Sequence, residues 1–136
     1  MAYIFGVYMK YIVILFIVLI QSATASDNYY YKNNQKIILL PVSSISRDNV
    51  QIDYYQNENE IVLGVTNKLI VKLKDDKYLT QILNEFHLTL EKNLSYNMYL
   101  LKTTDKNLTI DISNRLNEKE YVKYAHPDFI KKRINR

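Results

Sequence analysis

Between Asn67 and Ile130 the apolar residues switch from a period of two to a period near 3.6 and back, twice. That succession admits few folds. Lys68-Leu-Ile-Val-Lys-Leu-Lys74 puts Leu69, Val71 and Leu73 on one side of an extended segment and Lys68, Ile70, Lys72 and Lys74 on the other. Leu79, Ile82, Leu83 and Phe86 then follow the i, i+3, i+4, i+7 spacing of an amphipathic helix, with Asp75 or Asp76 placed to cap it. Leu90–Leu94 and Asn97–Thr103 read as two strands around Ser95-Tyr96. A second helix carries Leu108, Ile112 and Leu116 in line and takes Asn107 or Thr109 as its cap. Tyr121–Ile130 is a last extended segment, whose Pro127 sets its later part at a sheet edge or beyond.

The order β-α-β-β-α-β predicts an α+β fold, the ferredoxin-like plait: an antiparallel sheet with two helices on one face. The other face then lacks a helical cover. Met98-Tyr-Leu-Leu101 is apolar at consecutive positions, which suits a strand buried on both sides. Ile70 and one of the pairs Tyr99/Leu101 or Met98/Leu100 should therefore meet the open face, unless residues 28–65 fold back over it. An apolar patch of that kind marks a protein partner.

Residues 26–65 have a different texture, rich in Tyr and Asn, and predict short β-hairpins ahead of the plait. Tyr29-Tyr30-Tyr31 and Lys36–Leu40 flank Asn33-Asn34, a pair that tolerates positive φ in a tight turn. Pro41, which has no amide to donate, should end the second strand. Val50–Tyr55 and Ile61–Val65 repeat the arrangement around Asn57-Glu58-Asn59.

The first 25 residues are read apart from the fold. Tyr11–Ile20 is an unbroken apolar run after Lys10 and before Gln21-Ser-Ala-Thr-Ala25, the three parts of a secretory signal with cleavage between Ala25 and Ser26. The run is shorter than the ~20 residues a membrane span needs. Met9-Lys10 is a more typical signal start than Met1. The chain is thus expected to be exported to a periplasmic or extracellular space, meeting a membrane only during export.

Residues 26–136 hold 17 of the 18 Lys and Arg residues and all 14 acids. Four of those cations, Lys131, Lys132, Arg133 and Arg136, lie in the last six positions, leaving the rest close to neutral. No basic face points to nucleic acid. The chain has no cysteine, which excludes disulfides, thiol nucleophiles and cysteine-ligated metals. With two histidines only, no metal or other cofactor is expected. Asn93-Leu-Ser95 and Asn107-Leu-Thr109 match the glycosylation pattern, a motif frequent by chance.

Four segments, Asn67–Lys74, Tyr96-Asn-Met-Tyr-Leu-Leu-Lys102, Ser113-Asn-Arg-Leu-Asn117 and Val122-Lys-Tyr-Ala-His-Pro-Asp-Phe129, together resemble the propeptide of subtilisin-like serine proteases. The resemblance spans roughly residues 66–130 and keeps the segments in order. It implies an inhibitor and intramolecular folding chaperone, working on a subtilisin-like protease in cis or in trans, with no small-molecule substrate. The open sheet face would pack on two protease helices and acidic side chains would cap their N-termini. Asp128 stands at one such position; His126 replaces the acid at the other, a departure from the family pattern. The tail Lys131-Lys132-Arg133-Ile134-Asn135-Arg136 would run in extended form into the protease cleft by strand addition. None of the glycine-rich contexts around a subtilase Asp, His or Ser occurs, so the chain itself is not expected to be an enzyme. The alternative is an exported ferredoxin-like module that binds other proteins without protease specificity.

Overall fold

The computed structural model describes residues 28–132, so the expected secretory signal with its cleavage point at Ala25 and Ser26, and the tail residues Arg133, Ile134, Asn135 and Arg136, lie outside the described residues. Among these residues the chain is α+β, with two antiparallel sheets and two α-helices. In chain order the elements are β1 (Asn28–Lys32), β2 (Gln35–Arg47), β3 (Val50–Gln56), β4 (Val62–Val65), β5 (Lys68–Leu73), α1 (Leu79–Glu85), β6 (Thr89–Ser95), β7 (Met98–Lys102), α2 (Thr109–Asn117), β8 (Val122–Pro127) and β9 (Ile130–Lys131). One sheet has the order β1-β2-β3-β4-β9 and the other β6-β7-β5-β8.

Leu69, Val71 and Leu73 are buried, and their neighbours in β5 are half-buried, as the alternation predicts. They join Tyr99, Leu101 and Ala125 from the flanking strands in one core that also takes Ile82 of α1, Phe86 at its C-cap, and Ile112 and Leu116 of α2. Both helices therefore pack on the same side of this sheet. Asp75 caps the start of the first helical segment: its carboxylate accepts from the Lys77 amide at 3.0 Å, which holds it below the usual carboxylate range. The segment opens as a 3₁₀ turn before α1. At the second helix the cap is Asp105, not Asn107 or Thr109, because Asp105 stands in extended backbone and accepts from the Asn107 amide across a further 3₁₀ turn. Thr109 is buried and donates to the Thr66 carbonyl at 2.7 Å. Leu108 falls in the 3₁₀ turn and is exposed, out of line with Ile112 and Leu116.

The Asn33-Asn34 turn closes the β1–β2 hairpin with positive φ at both residues. Asp48-Asn49 closes β2–β3 in the same way, and this second turn is one the sequence reading passed over. Pro41 does not end β2. Among the described residues no strand pairs with that edge of β2 beyond Leu39, which faces Asn28, so no ladder bond among them needs the missing amide; the register with β3 shifts at Pro41/Ser43. Around it the β2 side of the β2–β3 ribbon is exposed, with Leu40, Val42 and Ile45 in solvent, as is Val50 at the start of β3, whereas Ile52 of β3 is buried.

The five-stranded sheet has its own core of Tyr30, Leu39, Leu63 and Val65, packed on Ile110 of α2 and on Phe129. It thus docks beside α2 rather than lying across the helix-free face. Two amides of α2 bind the flanking strands. Asn114 Nδ2 donates to the Tyr29 carbonyl of β1 at 2.8 Å. Asn117 accepts from the Ala125 amide at 2.8 Å and donates back to the Ala125 carbonyl, so its side chain acts as a one-residue partner on the free edge of β8. Both sheets meet again at β9, which pairs Leu63 with Lys131 and Gly64 with Ile130. Gly64 permits that approach: a Cβ there would lie 2.8 Å from Ile52 Cγ2 and 3.3 Å from Ile130 Cβ.

Candidate functional site

The face of the four-stranded sheet opposite the helices collects residues from three strands. Ile70 of β5 stands between Leu100 of β7 and His126 of β8, and Lys72 between Met98 and Tyr124. Strand alternation forces this set onto one side, because the intervening Leu69, Val71, Tyr99, Leu101 and Ala125 fill the core. Ile70, Met98 and Leu100 are half-buried and Tyr124 is exposed, so of the two pairs weighed from sequence it is Met98/Leu100 that meets this face. The Tyr124 hydroxyl lies 3.2 Å from the Met98 sulfur, joining β8 to β7 across β5. Lys72 donates to the Tyr96 carbonyl at the β6–β7 turn, and Tyr96 is the most exposed of the large hydrophobic residues among those described. At the other end Lys68 pairs with Glu91 at 2.8 Å.

Asp128 and His126 follow from the same strand. His126 sits on the open face, and its Nδ1 is 2.9 Å from the Pro127 carbonyl, so Nδ1 carries the proton and Nε2 keeps the acceptor lone pair of the neutral ring. Asp128 is half-buried just past β8, where its amide donates to the Lys68 carbonyl at 3.0 Å. It lines a cleft of about 720 Å³ whose walls include Lys68, Lys102 and Lys106 and, from the β2–β3 turn, Asn49 and Val50. That turn overlooks one end of the open face without pairing to it. Asp128 and His126 are two residues apart on an extended segment, yet Asp128 lines this cleft, whereas His126 lines a separate cleft beside β1.

Of the tail, Lys131 is part of β9 and Lys132 donates its amide to the Val62 carbonyl at 3.3 Å. The Lys132 ammonium lies 5.6 Å from the Tyr54 ring. Strand addition at this end of the chain is thus made with the chain's own β4. Sequence reading missed the contribution of Tyr124, although its alternation with His126 on the last extended segment carries the signal. Among the described residues no group of three His, Asp or Glu side chains is placed to hold a metal ion.

Comparison with models of known families, with curated proteins and with solved structures finds no match to this chain.

Proposed function

We propose that the chain is a propeptide-like inhibitor and folding chaperone of a subtilisin-like serine protease, exported and acting on a protease in cis or in trans. The observation that carries this reading is the helix-free face bearing Ile70, Met98, Leu100 and Tyr124, with Asp128 at the rim. Three of the four segments that carry the resemblance, Asn67–Lys74, Tyr96–Lys102 and Val122–Phe129, supply that face. Their strand order, with both helices on the far side, supports treating residues 66–130 as a ferredoxin-like plait. Two protease helices would cover the apolar centre, and the Asp128 carboxylate would accept the unpaired amides at one of their N-termini. The ring of His126, with Nε2 free to accept, would take an amide at the other.

The β9 pairing favours a second reading, a protein-binding module without protease specificity, because Ile130 and Lys131 already have a strand partner.

Titrating the full chain against a subtilisin-like protease tests the proposal. Saturable inhibition is expected, together with faster recovery of the acid-unfolded protease. Asp128→Ala should raise the inhibition constant about 2- to 30-fold, the cost of losing a helix cap. Absence of both inhibition and assisted refolding would leave the binding-module reading in its place.

A further inference from the structure

The two sheets leave a second cleft, of about 500 Å³, between β1 with its Asn33-Asn34 turn and the outer side of β8. Its character differs from that of the cleft at Asp128. There, lysines and carboxylates alternate: Lys68 is paired with Glu91, Lys106 with Asp53, and Asp105 and Asp128 also line the wall. Here three lysines converge from three different strands, Lys32 of β1, Lys123 of β8 and Lys131 of β9, and no carboxylate lines the cleft. None of the three has an ion-pair or aromatic partner among the described residues, in contrast to Lys68, Lys106 and Lys119, which all have acids within 3 Å.

Between the lysines the cleft is aromatic. Tyr30, buried, meets Phe129 edge to face with centroids 4.7 Å apart. Phe129 is followed by His126 at 6.5 Å and His126 by Tyr124 at 5.9 Å, both pairs within 13° of parallel. An apolar, ring-lined floor with a few charged groups of one sign at the rim is the make-up of a small-ligand site, and the volume lies within the range such sites occupy. A junction between two packed units is also where such sites concentrate.

We infer that this cleft binds a small organic anion, a carboxylate or phosphate joined to a flat unsaturated ring. The ring would lie against Tyr30, Phe129 and Tyr124, and the anionic group would take the ammonium groups of Lys32 and Lys123. This cleft does not include Asp128 and ligand binding there does not depend on the proposed protease contact, but Tyr124 and His126 border both surfaces, so ligand and protease would compete for them.

The test is a titration of the isotopically labelled full chain followed by NMR, with 1-naphthoate, 1-naphthyl phosphate and neutral 1-naphthamide as probes. Both anions should shift resonances of Tyr30, Tyr124 and Phe129 saturably, and naphthamide should bind about tenfold more weakly. Lys32→Gln and Lys123→Gln should each weaken naphthoate roughly two- to fivefold with the rest of the spectrum unchanged. Raising the salt concentration should weaken the anions and not the amide. The difference between the naphthoate and phosphate arms identifies the preferred anionic group. Equal binding of naphthoate and naphthamide, or shifts away from the cleft, would overturn the inference. So would an acidic peptide, acetyl-Glu-Tyr-Glu amide, binding there at least about tenfold more tightly than naphthoate, since the occupant would then be polypeptide.

Discussion

The Lys106 ammonium sits 2.7 Å from both carboxylate oxygens of Asp53, joining the middle strand of the five-stranded sheet to the 3₁₀ turn ahead of α2. Ser44 Oγ donates to the same carboxylate at 2.7 Å. Both ionic side chains are about four-fifths covered. Burial alone would raise the Asp53 pKa, but the hydrogen bonds from Lys106 and Ser44 outweigh it and hold the group below the usual carboxylate range.

A carboxylate whose folded-state pKa is depressed stabilises the fold above its unfolded value, about 3.9, and that contribution is lost as pH falls through the folded-state value. Asp53→Asn should therefore cost about 1–3 kcal/mol at pH 7, where the ammonium of Lys106 loses its counter-charge. The gap between variant and parent should close as the pH drops below about 4. Urea unfolding at pH 7 and pH 3 measures it; a gap that stays constant would mean that the ion pair contributes nothing.

Asn117→Ala removes both hydrogen bonds to Ala125 and leaves two backbone groups of β8 on a free edge. The expected loss is about 1–3 kcal/mol. Hydrogen exchange at the Ala125 amide should speed up more than at Val71, its partner on β5. Because an unpaired edge is a template for another strand, the variant should also self-associate at concentrations where the parent is monodisperse, which light scattering detects.

Gly64→Ala introduces a methyl group 2.8 Å from Ile52 Cγ2 and 3.0 Å from Tyr54 Cε1. Overpacking of this sort costs about 1–3 kcal/mol. The Lys132 amide, which bonds the Val62 carbonyl, should lose exchange protection well before amides of β5 do. Uniform loss of protection in both sheets would show that β9 is not the element displaced.

At the Asn33-Asn34 turn, Asn34→Gly should raise stability, because glycine accepts φ of 62° without a Cβ clash and Asn-Gly suits a two-residue turn with positive φ at both positions. Asn34→Val should lower it by about 1–2 kcal/mol, the cost of a left-handed residue with a bulky Cβ. Thermal unfolding of the two variants gives opposite shifts if the turn governs the hairpin.

The strands and helices of residues 67–130 were legible because each buries one face, and a single buried face imprints its period on the sequence. Leu69-Val71-Leu73 and Ile82-Phe86 carry that imprint. The β1–β2 turn was legible from Asn33-Asn34 because positive φ selects its residues. Three features were not legible, each for a physical reason. Pro41 signals a strand end only where both edges need donors, and β2 runs on past it because β3 goes on pairing with the other edge, which is a tertiary fact. The cap at Asp105 depends on a 3₁₀ turn that moves the helix start away from Asn107 and Thr109. Strand β9 is two residues long, too short to show a period, and its partner lies in a distant part of the chain. Of the site, the alternation of Ile70 with its neighbours placed the open face. The ring series from Tyr124 to Tyr30 crosses two sheets, and no local pattern announces such a series.

The pairing of β4 with β9 has a consequence for the order in which the molecule assembles. The entire four-stranded unit lies between Leu63 and Lys131 in the chain, so as an open loop this closure would carry a large entropic cost. Once β5 and β8 are paired, their ends already hold the two segments close, and little remains to be lost. The five-stranded sheet is then completed only after the four-stranded one exists, whereas its hairpins, built from local contacts, can form at any time. Cooperativity between the sheets should consequently run one way. Damage to β5 or β8 should strip β9 from its sheet, and damage to the β2–β3 ribbon should leave the four-stranded unit standing.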